Sequence, residues 1–207
     1  MSLPSTRRAL HGAAELLLAG PQHRHSGTIR LRVVPGGFGT VADPDLRVEG
    51  TELVTASGRH PLTGTYLTVG KAAGVDVGAP KGVYHDGSAV APDEGIELDP
   101  FYTADLHACF ALGDEALREF VEDANPVLWP EHFDISMTVD EVNFGVSAGD
   151  SFLDEPYVYV GPHQPRTGPF WNAPFGAARP VRDLSRGDGL SGLVEFFAQG
   201  RELATAP

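Results

Sequence analysis

From Phe133 to Ser147 the chain alternates apolar and polar side chains with a period of two. No other stretch constrains the fold as strongly. Phe133, Ile135, Met137 and Val139 alternate with Asp134, Ser136, Thr138 and Asp140; Val142, Phe144 and Val146 then alternate with Asn143, Gly145 and Ser147. Successive side chains of a strand point to opposite faces, so each set lines one face. A turn at Asp140-Glu141 pairs Val139 with Val142, Met137 with Phe144 and Ile135 with Val146. On the other face it pairs Thr138 with Asn143, Ser136 with Gly145 and Asp134 with Ser147. Tyr157–Val160 adds a third strand, so an antiparallel meander is expected over about 133–160.

The remaining elements mix helix and strand. Residues 5–19 follow helical spacing through Leu10, Ala13, Ala14, Leu17 and Leu18, with Ser5 as cap and Gly20-Pro21 as stop. Residues 27–34 alternate as a strand with one wet face, and Leu46–Val48 and Leu53–Thr55 flank Gly50 as a hairpin. A short helix over 64–74 ends at Gly74. Helices are expected over 100–111, from Asp114 to about 122, and over 189–202. Gly36-Gly37-Phe38-Gly39-Thr40 has neither the helix nor the lysine of a phosphate loop and is expected as a hairpin turn. This order is not the regular alternation of a parallel sheet, so an α+β fold with helices packed on antiparallel sheet is expected. The chain reads as one domain, with two α+β halves over about 1–75 and 96–203 joined by a Gly/Pro-rich segment.

The net charge of −13 excludes the basic surface that nucleic acid or anionic lipid would need. Between Arg118 and Arg166 there is no lysine or arginine, while ten acidic residues, His132, His163 and Trp129 fall there. Such a surface suits a metal, an amine or a basic partner. Cys109 is the only cysteine, which points to a reducing, cytoplasmic setting and a buried, inert thiol. Arg7-Arg8 is followed by a run broken by His11 and Glu15, which suits an amphipathic helix better than a twin-arginine signal.

The polar face of the meander carries only short side chains, unlike the Arg30 and Arg32 face of the earlier strand. It can be a plain wet sheet, a subunit contact or the floor of a pocket. His132 and Asp134, at i and i+2, are expected on one face and are candidate metal ligands, with His163 or Asp150 as a third. The spacing lacks a zinc-protease helix or a cysteine cluster, so no cofactor is expected and a divalent metal stands as the alternative. Gly145-Val146-Ser147-Ala148-Gly149 matches a nucleophile elbow in letters only; it follows an alternating strand and is expected as a strand end. Trp129, Tyr157, Tyr159, Phe170, Trp171 and Phe175 either plug a core or line a pocket, where aromatics beside carboxylates would suit an organic cation.

Three motifs carry a resemblance: Trp129-Pro130-Glu131-His132-Phe133-Asp134, Asn143-Phe144-Gly145-Val146-Ser147-Ala148-Gly149-Asp150, and Glu155-Pro156-Tyr157. They are similar to a series in a bacterial, mainly actinobacterial family of proteins of unknown function, and the helix around Leu10-His11 is more loosely similar. The resemblance implies a shared fold and draws attention to His11, His132, Asp134, Asn143, Ser147 and Asp150, without carrying over any catalytic role.

The expected function is small-molecule binding, with a cationic ligand among the candidates, in an acidic, aromatic-lined pocket. Its residues are Trp129, His132, Asp134, Asn143, Ser147, Asp150 and Trp171, with the two tryptophans as walls. The alternatives are a metal-dependent hydrolase or isomerase using His132, Asp134 and His163, and an acidic protein-interaction module.

Overall fold

A computed structural model describes residues 1–184 and 189–205. The fold is α+β, built on one antiparallel sheet of ten strands in the order β10-β9-β8-β7-β6-β1-β2-β3-β4-β5. The strands are β1 (Leu31–Val34), β2 (Gly37–Thr40), β3 (Arg47–Glu49), β4 (Glu52–Thr55), β5 (Gly58–Pro61), β6 (Val127–Trp129), β7 (Asp134–Val139), β8 (Val142–Ser147), β9 (Tyr157–Pro162) and β10 (Ala177–Pro180). The β7–β8 register is the one expected from the alternation, from Val139 against Val142 to Asp134 against Ser147. The first and second parts of the sheet join where β1 meets β6, with Leu31 opposite Leu128. Of the glycine turn expected at 36–40, Gly36 lies in the turn between β1 and β2, while Gly37–Thr40 is the buried strand β2. A side chain at Gly37 would come within 1.8 Å of the Val48 carbonyl oxygen, so glycine there permits close strand approach.

The N-terminal helix starts earlier and runs further than its sequence signals suggest. Ser2, not Ser5, is the cap; Ser5 closes the capping box from inside α1 (Leu3–Ala13). The helix does not stop at Gly20-Pro21. It widens into a π-helical segment (Ala14–Ala19) and continues as α2 (Gly20–Ser26), ending at left-handed Gly27. The wide turn explains how proline is accommodated. The Gly20 N–H bonds back to the Glu15 carbonyl, five residues away. The next π-type donor would be Pro21, which has no N–H, so the Leu16 carbonyl accepts from Gly78 N–H at 3.0 Å instead. Gly20 permits that approach, since a Cβ there would lie 1.6 Å from the Gly78 oxygen.

The two helices expected over 100–122 are a single helix, α4 (Pro100–Phe120), after α3 (Tyr66–Ala73). Asp114 is not a cap; it pairs with Arg118 one turn on, at 2.8 Å, while Asp99 caps the helix by accepting from Phe101 N–H. Gly113 lets the helix lie on the meander, because a Cβ would meet Ile135 and Val146 at 2.8 and 2.9 Å. α6 (Leu190–Thr205) completes that layer after the short α5 (Val181–Leu184), and Phe120, Phe144 and Phe197 interlock between α4, α6 and the sheet. Helices thus cover the apolar face of the meander and leave its polar face open for a site. Among the described residues no helix is long and apolar enough to cross a membrane.

Candidate functional site

The polar face of β7, β8 and β9 forms the floor of a cleft of about 1110 Å³. Its centre is Asp134, 5% exposed, which sits opposite Ser147 at the start of β7. Tyr159 reaches it from β9 across Gly145. A Cβ at Gly145 would stand 2.7 Å from the Tyr159 hydroxyl and 2.7 Å from the Ser136 Cβ, so the missing side chain makes room for that reach. The Tyr159 O–H donates in a close hydrogen bond to Asp134 Oδ2. Among the described residues, Asp134 Oδ1 is buried and has no hydrogen-bond partner. Burial pushes the Asp134 carboxyl above the usual carboxylate range, against the stabilising bond from Tyr159. Burial, reinforced by the Asp134 charge, holds the Tyr159 phenol well above its ordinary value.

Aromatic rings frame the floor. Tyr157 and Phe175 stack at 6.2 Å, Tyr159 meets Phe175 edge-on at 6.2 Å, and Phe152 packs on Phe175 at 5.2 Å. Phe152 and Phe175 are both exposed at the rim, and the floor beneath them is polar. Tyr157 donates to Asp150 Oδ2 at 2.6 Å, while Asp150 Oδ1 accepts from the N–H groups of Phe152 and Leu153. Asp150 therefore holds the loop that carries the rim. Ser147 Oγ accepts from Gly149 N–H at 3.1 Å and ends its strand as expected, with no partner histidine.

The opposite wall comes from far away in sequence. Arg7 and His11 of α1 and the segment Asp86–Ser88 line it. Glu15, 4% exposed in the π-helical segment, anchors that segment by accepting from Ser88 N–H at 2.7 Å and Tyr84 O–H at 2.9 Å. Gly87 lies so near this carboxylate that a Cβ would be 2.2 Å from Oε1. His11 stacks on Phe133 at 5.3 Å and points Nε2 at the Pro130 carbonyl, 2.6 Å away. A carbonyl only accepts, so Nε2 carries the proton and Nδ1 is the lone-pair nitrogen of the neutral ring. Burial lowers the His11 pKa, the nearby Glu15 charge opposing it.

Of the residues singled out from sequence, His132, Asp134, Asn143, Ser147, Asp150 and His163 line the cleft. Trp129 and Trp171 do not. Trp129 stacks under Arg30 at 5.8 Å, and Trp171 packs beside Phe170, which lies on Phe196 of α6. The aromatic set thus divides into a core plug (Phe170, Trp171) and a cleft rim (Tyr157, Tyr159, Phe175).

His132 and Asp134 both line the cleft, but His132 lies outside β7. Phe133 between them adopts a left-handed backbone, with φ +53°, which breaks the alternation. Phe133 drops into the core against Phe38 and Phe110, Asp134 turns into the floor, and His132 is left 62% exposed beside Glu131. Asn143 Oδ1 accepts from Thr138 O–H at 2.7 Å, with the exposed His163 ring 3.4 Å away. Among the described residues, no group of three or more His, Cys, Asp or Glu side chains is placed to hold a metal, and His132, Asp134 and His163 do not converge.

The acidic stretch is also less bare than it reads, because arginines from other elements reach it. Arg7 lies 3.6 Å from Asp154, Arg182 pairs with Glu155 at 2.9 Å and Arg201 with Asp140 at 2.6 Å. No family model, curated protein or solved structure matches the chain, so the chemistry of the site rests on its geometry.

Proposed function

We propose that the chain binds a small organic molecule in this cleft and that an amine or other donor-bearing cation is the group received at its floor. One observation carries the reading: Asp134 is buried, holds one bond from Tyr159, and leaves Oδ1 without a donor. An unsatisfied buried carboxylate oxygen costs about 1–3 kcal/mol, and a donor brought in by a ligand recovers it. The rings of Tyr157, Tyr159 and Phe175 add faces on which a cation is stabilised, and the volume suits a drug-sized or somewhat larger molecule. The pairing of a perturbed carboxyl with a concave site is a recurrent mark of function.

The test is thermal melting against a panel of organic amines, each matched with a neutral isostere. Amines should raise Tm where their isosteres do not, and Asp134→Asn should abolish the difference. Equal shifts from amines and isosteres, or amine shifts unchanged in Asp134→Asn, would remove Asp134 from the reading.

A further inference from the structure

Arg7 is the second group in the cleft with unspent bonding capacity. Its side chain is only 15% exposed, yet it makes little use of the protein around it. A guanidinium carries five N–H donors. One donates to the Asp154 carbonyl at 3.0 Å. The Asp154 carboxylate stands 3.6 Å off, too far for a hydrogen bond, and at 86% exposure it is screened by water. Among the described residues, the remaining donors of Arg7 have no hydrogen-bond acceptor. Its neighbour Arg8 is already spent on Glu94 and the Ala89 carbonyl. Arg7 also has a built seat. Gly149, buried and at φ +98°, leaves the space into which Nη1 fits, since a Cβ there would lie 2.6 Å from it.

A largely buried guanidinium whose one hydrogen bond goes to a carbonyl is a receptor for a carboxylate or phosphate. Its seat, Gly149, is two residues from Ser147, which faces Asp134 across the ladder. Arg7 and Asp134 line the same cleft.

We propose that the cleft takes a zwitterion, with its carboxylate held by Arg7 and its ammonium group received at Asp134. This rests on the reading of Asp134 above and extends it from a cation to an amphoteric ligand.

Calorimetric titration of the full chain with three probes tests it: glycyl-phenylalanine, the same dipeptide as its C-terminal amide, and phenyl phosphate. The free dipeptide should bind roughly tenfold to a hundredfold more tightly than its amide, the range of a charged hydrogen-bonded contact. Arg7→Met should remove the advantage of the dipeptide over its amide. Equal binding of dipeptide and amide by the unaltered chain would overturn the zwitterion while leaving the amine site standing, whether or not the Arg7 variant folds. Phenyl phosphate binding as tightly as the dipeptide would also overturn it, in favour of a phosphate ligand. Failure of the dipeptide and its amide alike would overturn the amine site itself, and the zwitterion with it.

Discussion

Replacing Asp134 by Asn removes one negative charge and leaves an amide of nearly the same volume, whose carbonyl can still accept from Tyr159. In the folded chain the carboxyl is 5% exposed, has one hydrogen bond and no cationic partner within ion-pair distance. Its pKa is raised by burial, so the folded state holds this proton more tightly than the unfolded chain does. The sign of the linkage follows. Between the unfolded and folded pKa values the native state binds more protons, so stability falls as pH rises through that window. The contribution is fully present below the unfolded value and lost above the folded one. At pH 8 an ionised, half-paired carboxylate should cost about 1–3 kcal/mol. For a chain of this size each kcal/mol moves Tm by about 2–4 °C. Asp134→Asn should therefore raise Tm by roughly 2–10 °C at pH 8, and the gain should shrink towards zero by pH 4, as read by calorimetric melting across pH. A lower Tm for the variant at pH 8, or a gain of the same size at pH 4, would refute the reasoning. A gain in stability accompanied by lost ligand binding is the usual exchange at a functional site.

Other groups give sharper local tests. His107 is buried against Phe38, has Nε2 unpaired, and has its pKa lowered by burial to about 4. It stabilises the fold above its unfolded value of 6.5, and the chain should lose about 3 kcal/mol through it as pH falls from there to 4. His107→Leu should flatten that part of the stability–pH profile, and an unchanged slope would contradict this. Gly145→Ala should cost about 1–3 kcal/mol by overpacking and displace the Tyr159 hydroxyl from Asp134, visible as a shifted tyrosine absorbance; a fully stable variant with an unaltered spectrum would argue against the crowded floor. Cys109 is half-buried rather than fully buried, and burial pushes its thiol up to about 11, so a thiol reagent at pH 8 should label the native chain far more slowly than the unfolded one. Rapid labelling of the native protein would refute that.

The meander was legible in the sequence to the level of its register, because a period of two with one buried face permits only one pairing. The hairpin about Gly50 and the helix stop at Gly74 were legible from glycines whose positive φ, +56° and +70°, the turns require. What failed did so where a local signal was overruled by something distant. Gly20-Pro21 reads as a helix stop, but the π-helical segment and the Gly78 N–H absorb the proline. His132 and Asp134 read as neighbours on a regular strand, but the left-handed Phe133, packed on Phe38 and Phe110, interrupts the alternation between them, leaving His132 exposed and Asp134 buried in the same cleft.

For the site, the floor was readable and the far wall was not. Asp134, Asn143 and Ser147 followed from strand alternation and His11 was singled out only by the resemblance, whereas Arg7 and the Glu15–Ser88 anchor depend on contacts between residues up to 147 apart. The tryptophans drew attention by size, while the rings at the cleft are Tyr157, Tyr159 and Phe175. Those three belonged to the aromatic set expected to plug a core or line a pocket, and the register of β9 sets Tyr157 and Tyr159 opposite Ser147 and Gly145.

Whether the cleft over Asp134 receives an amine is tested most directly by backbone amide chemical shifts of the labelled chain titrated with phenethylamine. The expected result is saturable change concentrated at Asp134, Gly145, Ser147, Tyr159 and Phe175, and its disappearance in Asp134→Asn. Changes that fail to saturate, or that gather on another surface such as the groove beside Arg24 and Asp76, would contradict the proposed site.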